Sequence, residues 1–250
     1  MSAATSPGGT TERLNRYLAR RGVASRRAAD TLIAAGRVTV NGIPGELGTV
    51  VAATVDTVRV DGRAIHTELD HQTLMLNKPP GVLTTRRDPR GRPTVMDFVE
   101  RHPSLVPVGR LDMDTRGLLL LSTDGELAHR VAHPRYEVHK VYRAVVHGEI
   151  EPARLQRLTS GVELEDGFAR ALRARPLQAR QTLELVMTEG RRREVRRLCA
   201  AVGLEVVDLM RVAVGPLRLG ALAEGASRRL LPDEDAALRQ CVGLRPHTED

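Results

Sequence analysis

At 250 residues and 27.4 kDa, the chain is long enough for one large domain or for a small module joined to a larger one, which excludes a short peptide-like fold. Thirty-eight Lys and Arg against 31 Asp and Glu leave a formal charge of +7 and a pI near 10.3, pointing to an anionic partner and first to nucleic acid. Cys199 and Cys241 stand outside any CxxC pair, so neither a disulfide framework nor a structural zinc site is expected, and a reducing cytoplasm fits. With two Phe, three Tyr and no Trp, the core must be packed by Leu, Val, Ala and Ile. The basic residues are almost all arginine, since Lys78 and Lys140 are the only lysines. Arginine's planar fork suits phosphate contacts. The opening MSAATSPGGT has no apolar signal region, and no stretch approaches the roughly 20 apolar residues of a membrane helix, so a soluble, unexported protein with no membrane contact is expected.

Residues 1–10 are small and Gly-rich and read as a disordered tail. Over 12–21, Leu14, Tyr17 and Leu18 share one helical face while Arg13, Arg16 and Arg20 form another, which predicts a short amphipathic helix ending at Gly22. A second helix is predicted from the N-cap Ser25 through Arg26, Arg27, Leu32 and Ile33 to Gly36. The period then changes to two. Val38 and Val40 precede the Asn41-Gly42 turn, and a second alternating run over 55–60 precedes Asp61-Gly62. Two helices followed by short hairpin strands make a module over 11–68, and the polar run 67–73 marks its end. A larger domain is expected over 72–242, with a tail over 243–250. Its predicted strands lie at 74–76, 117–122, 141–146 and 182–186, and its helices at 125–132, 152–159 and 192–202. Strands outnumber clear βαβ units, so the fold class is α+β with a mixed, mainly antiparallel sheet.

Searches for chemistry return little at first. There is no GxxxxGK[ST], no GxGxxG after a strand and no GxSxG nucleophile elbow. His129 and His133 lie four apart on a predicted helix, but Arg130 stands where a zinc protease has glutamate and Pro134 ends the helix, so they read as surface histidines and no metal is expected. The informative segment is Gly109-Arg110-Leu111-Asp112-Met113-Asp114-Thr115-Arg116-Gly117, which runs straight into four leucines at 118–121. A charged loop on a buried strand is a rigid mount for a reactive group. Asp112 and Asp114 could act as paired carboxylates. They could equally form a turn neutralised by Arg110 and Arg116, and on the residues alone that second account is the simpler.

At this point the sequence resembles the RsuA-type pseudouridine synthases, which isomerise a uridine in ribosomal RNA. The resemblance rests on four blocks in register: Asn77-Lys78-Pro79-Pro80-Gly81, the 109–125 stretch, His139-Lys140-Val141-Tyr142-Arg143-Ala144, and Glu189-Gly190-Arg191 through Arg196-Arg197-Leu198. Ala24-Ser25-Arg26-Arg27 and Gly36-Arg37-Val38-Thr39-Val40-Asn41-Gly42 are similar to the alpha-L RNA-binding module that members often carry. Two departures concern loop detail: Ser122-Thr123 replaces the usual Thr-Asn, and Glu194 sits where glutamine is common. The resemblance implies Asp112 as the catalytic aspartate, Arg196 as its basic partner, Tyr142 against the target base, and Arg110 entering the RNA stack when the uridine is flipped out. On the residues alone, Arg196 is one surface arginine of a run, Tyr142 a half-buried strand tyrosine, and Arg110 a salt-bridge partner of Asp112 or Asp114. Arg13, Arg16, Arg20, Arg26, Arg27 and Arg37 are the expected RNA contacts of the module. No cofactor is implied. The expected partner is ribosomal RNA or a ribosomal subunit precursor, with a large-subunit uridine favoured over a small-subunit one, met by a cytoplasmic monomer. The rival readings are a non-catalytic RNA-binding or ribosome-assembly factor and a DNA-binding regulator; the strand-rich 38–60 segment argues against the latter.

Overall fold

The computed structural model describes residues 11–65, 71–100, 102, 104–179 and 181–245. The tail expected over 1–10, most of the 67–73 boundary and the last five residues of the C-terminal tail lie outside that range. The described chain forms two compact units, one comprising Met1–His71 with His102–Leu105 and the other the remainder.

In the first unit, β1 (Thr11–Arg13), α1 (Leu14–Arg20), α2 (Arg26–Ala34), β2 (Val38–Val40), β3 (Ile43–Pro44), β4 (Val50–Ala52), β5 (Val58–Val60) and β6 (Arg63–Ala64) follow in order. The helix predicted from residue 12 starts at Leu14, because Thr11–Arg13 pairs antiparallel with Val50–Ala52. α2 begins where the sequence places it, with Ser25 Oγ accepting the Ala28 N–H at 3.2 Å. Asn41-Gly42 and Asp61-Gly62 all take positive φ, as tight hairpin turns require. The alternating run at 55–60 is a strand only from Val58, since Val55 and Asp56 close a turn on the Ala52 carbonyl. Leu14, Tyr17, Leu18, Ala29, Ile33, Val38, Val51 and Val58 make the core between helices and strands.

The second unit contains β7 (Thr73–Lys78), β8 (Val106–Val108), β9 (Arg116–Ser122), α3 (Gly125–Ala132), β10 (Lys140–His147), α4 (Pro152–Ser160), β11 (Val162–Leu164), β12 (Gly167–Ala169), β13 (Arg173–Pro176), β14 (Thr182–Met187), α5 (Glu194–Ala200), β15 (Glu205–Val214), β16 (Leu217–Arg218), β17 (Ser227–Arg229) and α6 (Pro232–Cys241). Its nine-stranded sheet has the order β13-β14-β10-β15-β9-β7-β17, with β16 on β15 and β8 on β9. Only β15 and β9 run parallel; the other described pairs are antiparallel, in keeping with the mixed, mainly antiparallel sheet expected. β7, β9 and β14 are buried almost throughout, whereas β10 alternates between a buried face and a more open one. Leu118 and Leu120 join Leu127, Val131, Leu238 and Val242 in one core, fixing β9 beneath α3 and α6. The predicted tail does not begin at 243, because Leu244 packs against this core and Arg130 donates to the Gly243 carbonyl.

Candidate active site

The loop 109–115 joins β8 to β9, and its exit is set by Gly117. That residue has φ +104°, and a Cβ there would come within 2.3 Å of the Arg211 carbonyl oxygen and 2.8 Å of its nitrogen. A side chain would push β9 off β15, where Gly117 registers with Arg211. The glycine that closes the motif is therefore required by a backbone approach.

Lys78 holds the same loop from below. It is fully buried, and its Nζ donates to the carbonyls of Thr115 (2.8 Å), Pro79 (2.9 Å) and Met113 (3.2 Å), using all three N–H groups of an ammonium. Burial pushes its pKa down to about 8, with Asp114 and Asp112 pulling the other way. Sequence reasoning gave Lys78 no role. The available signal was its rarity in a chain that otherwise uses arginine.

Asp112, Arg110 and Tyr142 line one cleft, opposed by the 189–194 loop with Arg191, Arg192 and Arg193. Asp112 is half-buried, and its carboxylate makes no hydrogen bond or ion pair among the described residues. Arg110 is exposed and likewise unpaired, so the salt-bridged turn does not form. Tyr142 is 7% exposed and stands on β10 opposite Leu185 and Arg211.

Arg196 is placed differently from the expectation. Its Nε lies 3.3 Å from the Asp114 carboxylate, while its terminal nitrogens donate to the Val206 carbonyl at 2.8 Å and the Asp114 carbonyl at 3.2 Å. It thus meets Asp114 and not Asp112. Arg193 also pairs with Asp114, at 2.9 Å, and Arg116 is taken by Asp208 through two bonds. The loop is neutralised from α5 and β15, which local spacing could not reveal. Glu194 accepts both the backbone N–H and the Nε of Arg191, whose guanidinium also donates to the carbonyls of Asp166, Gly167 and Phe168. A carboxylate offers two acceptors here where glutamine would offer one, so the departure at 194 braces the arginine loop. Ser122 and Thr123 are likewise satisfied, by Thr73 and the Asp124 N–H and by the Gln72 N–H.

In the first unit, Arg13, Arg26 and Arg27 are exposed and unpaired among the described residues. Arg16 and Arg20 gather on the buried Glu12, and Arg37 is held by Asp61 at 2.8 Å. The cationic surface is therefore thinner than six arginines suggest. His129 and His133 stack edge to face, 5.1 Å between centroids, and no group of three His, Cys, Asp or Glu among the described residues is arranged to hold a metal.

Residues 72–201 match the RNA pseudouridylate synthase family. The chain belongs to that family. Residues 12–47 match the S4 domain, in the first unit. An uncharacterized RNA pseudouridine synthase of Aquifex aeolicus (strain VF5) is 44% identical over 93% of this chain and 96% of its own length. The ribosomal large subunit pseudouridine synthase B of Bacillus subtilis (strain 168) is 41% identical over 91% and 96%. A crystal structure of a pseudouridylate synthase superposes with a TM-score of 0.65, at 29% identity, over 92% of this chain and 99% of that one. This pseudouridine synthase is thus an isomerase acting on RNA, with an S4 domain followed by the synthase domain.

Proposed function

We propose that the protein isomerises a uridine of large-subunit ribosomal RNA, with Asp112 as the catalytic carboxylate. The observation that carries the site assignment is Asp112 itself: a carboxylate without a protein partner, on a rigidly mounted loop, in a cleft rimmed by arginines. The reaction exchanges an N-glycosidic bond for a C-glycosidic one, so uracil must detach, turn and reattach while held in place. An ionised carboxylate can attack or take a proton, and this one is not already spent on a salt bridge. Tyr142 offers its ring to the base from the sheet floor. Arg110, free of any carboxylate, is available to fill the gap left in the RNA stack by a flipped uridine, an extrusion that costs a few kcal/mol. Arg196 contributes by holding Asp114 and so the loop. Arg13, Arg26 and Arg27 supply phosphate contacts from the S4 domain, with Arg16, Arg20 and Arg37 partly neutralised behind them.

The large-subunit assignment rests on the name of the Bacillus subtilis relative and its match over nearly both whole chains. Among the described residues no helix is long and apolar enough to cross a membrane. The reading includes a monomer that meets its RNA in the cytoplasm. Pseudouridines in ribosomal RNA are to be mapped with and without the gene, and the purified protein added back to RNA from the deletion strain. One large-subunit uridine should lose and regain its modification. A change confined to small-subunit RNA, or no change, contradicts the proposal.

A further inference from the structure

Arg110 and Gly190 line a second, smaller cavity of about 40 Å³ as well as the cleft. Much of its wall is apolar, from Leu120, Val131 and Val214, but two buried cations face it, Lys140 and Arg211. Arg211 is 3% exposed. Its Nε donates to the Leu118 carbonyl at 2.8 Å, and its two terminal nitrogens meet no acceptor among the described residues. Lys140 is 7% exposed and gives one N–H to the Thr188 carbonyl at 3.0 Å, leaving two. Glu194 and Glu189 act on Lys140 only at a distance, and burial together with Arg211 pushes its pKa down to about 8. Two cations removed from water without a carboxylate between them are costly to a fold. They are also unusual in this sequence. Of 38 basic residues only two are lysine; one of them clamps the Asp112 loop, and the other stands here.

We propose that this cavity is an oxyanion site that takes a backbone phosphate of the RNA strand beside the extruded uridine. The Arg211 fork and the Lys140 ammonium together present donors suited to the two free oxygens of a phosphodiester. Lys140 and Tyr142 share one face of β10 two residues apart, about 7 Å, so a base against Tyr142 and a phosphate at Lys140 fall within one nucleotide's reach. The proposal rests on the reading of Arg110 given above, because that side chain forms part of the wall and its departure into the RNA stack enlarges the cavity.

The chain's composition supplies the test. Protein grown with 13Cε-lysine shows two side-chain signals, assigned with Lys140→Gln, and is titrated with inorganic phosphate, uridine 3′-monophosphate and uridine. Phosphate and the nucleotide should shift the Lys140 signal saturably and raise its titration midpoint by half a unit or more, while Lys78 stays put. Uridine alone should leave Lys140 unmoved. Arg211→Gln should weaken the phosphate response at least tenfold; should that variant not fold, Lys140→Gln should raise KM for ribosomal RNA at least tenfold with kcat within twofold. No response to phosphate, an equal response to uridine, an undiminished response in Arg211→Gln, or an unchanged KM overturns the proposal. The phosphate titration involves no turnover, so its failure is distinct from failure of wild-type protein to form pseudouridine.

Discussion

Asp112 and Asp114 carry the same charge two residues apart and meet opposite surroundings. Asp114 is held by Arg193 and Arg196, and Asp112 by nothing among the described residues. Asp112→Asn keeps the shape and removes the charge, so single-turnover pseudouridine formation should vanish while RNA binding stays within a few-fold. Asp114→Asn should slow the reaction only modestly, by loosening the loop; equal loss from both would refute the distinction. The placement of Arg196 changes another expectation. Were it the partner of Asp112, Arg196→Met would match the loss from Asp112→Asn. Paired instead with Asp114 and the Val206 carbonyl, it should slow single turnover at saturating RNA only about as far as Asp114→Asn does. A loss as complete as that of Asp112→Asn would return Arg196 to Asp112. The Gly109 to Gly117 block was legible because its residue types and order are themselves the signal. Lys78 was not, because its partners are carbonyl oxygens, which every residue carries and no spacing marks.

Elements with a single strong period were found at nearly their true bounds. α3 occupies Gly125–Ala132 as predicted, and β9, β10 and β14 differ from prediction by a residue at one or both ends. The longest strand, β15, escaped notice because Asp208 and Arg211 interrupt its apolar pattern. Each reaches β9, Asp208 accepting from Arg116 and Arg211 giving its Nε–H to the Leu118 carbonyl, so the interruption makes sense only after folding. The short strands of the sheet rim, two to four residues each, depend wholly on neighbours distant in sequence. The β9–β15 contact also identifies a position where backbone leaves no room for a side chain. Gly117→Ala adds one methyl where backbone already sits and where φ is positive, and should cost about 3 kcal/mol or more of stability. Chemical denaturation would test this, with Gly167→Ala as a comparison at φ +103° but with no atom within 4 Å. Equal losses at both positions would show that backbone strain, and not the approach of β15, governs Gly117.

At the scale of the molecule, the S4 unit is not a contiguous N-terminal piece. His102–Leu105 belongs to it, and Leu105 is fully buried. Deleting residues 1–68 would strip that segment of its unit and confuse a binding defect with a folding one. Replacing Arg13, Arg26 and Arg27 together by Gln leaves the fold alone and removes three charges that have no partner among the described residues. RNA affinity should fall, and the slope of log affinity against log salt should flatten by about 2 to 3, one counterion's worth per lost phosphate contact. kcat at saturating RNA should hold. An unchanged slope would mean that this surface serves another partner.

The position of β7 bears on how the protein is made. Its six residues, all buried, pair on one side with β9, and Leu74, Met75 and Leu76 pair on the other with β17, whose residues 227–229 lie some 150 positions later. A chain emerging from the ribosome therefore carries a strand, apolar at Leu74, Met75 and Leu76, whose second edge stays uncovered until some 150 further residues have been made, a template for pairing with the wrong chain. Nascent chains stalled before residue 227 should depend on chaperones and aggregate without them, so the short strand 227–229, far in sequence from Asp112, decides whether the enzyme is recovered soluble.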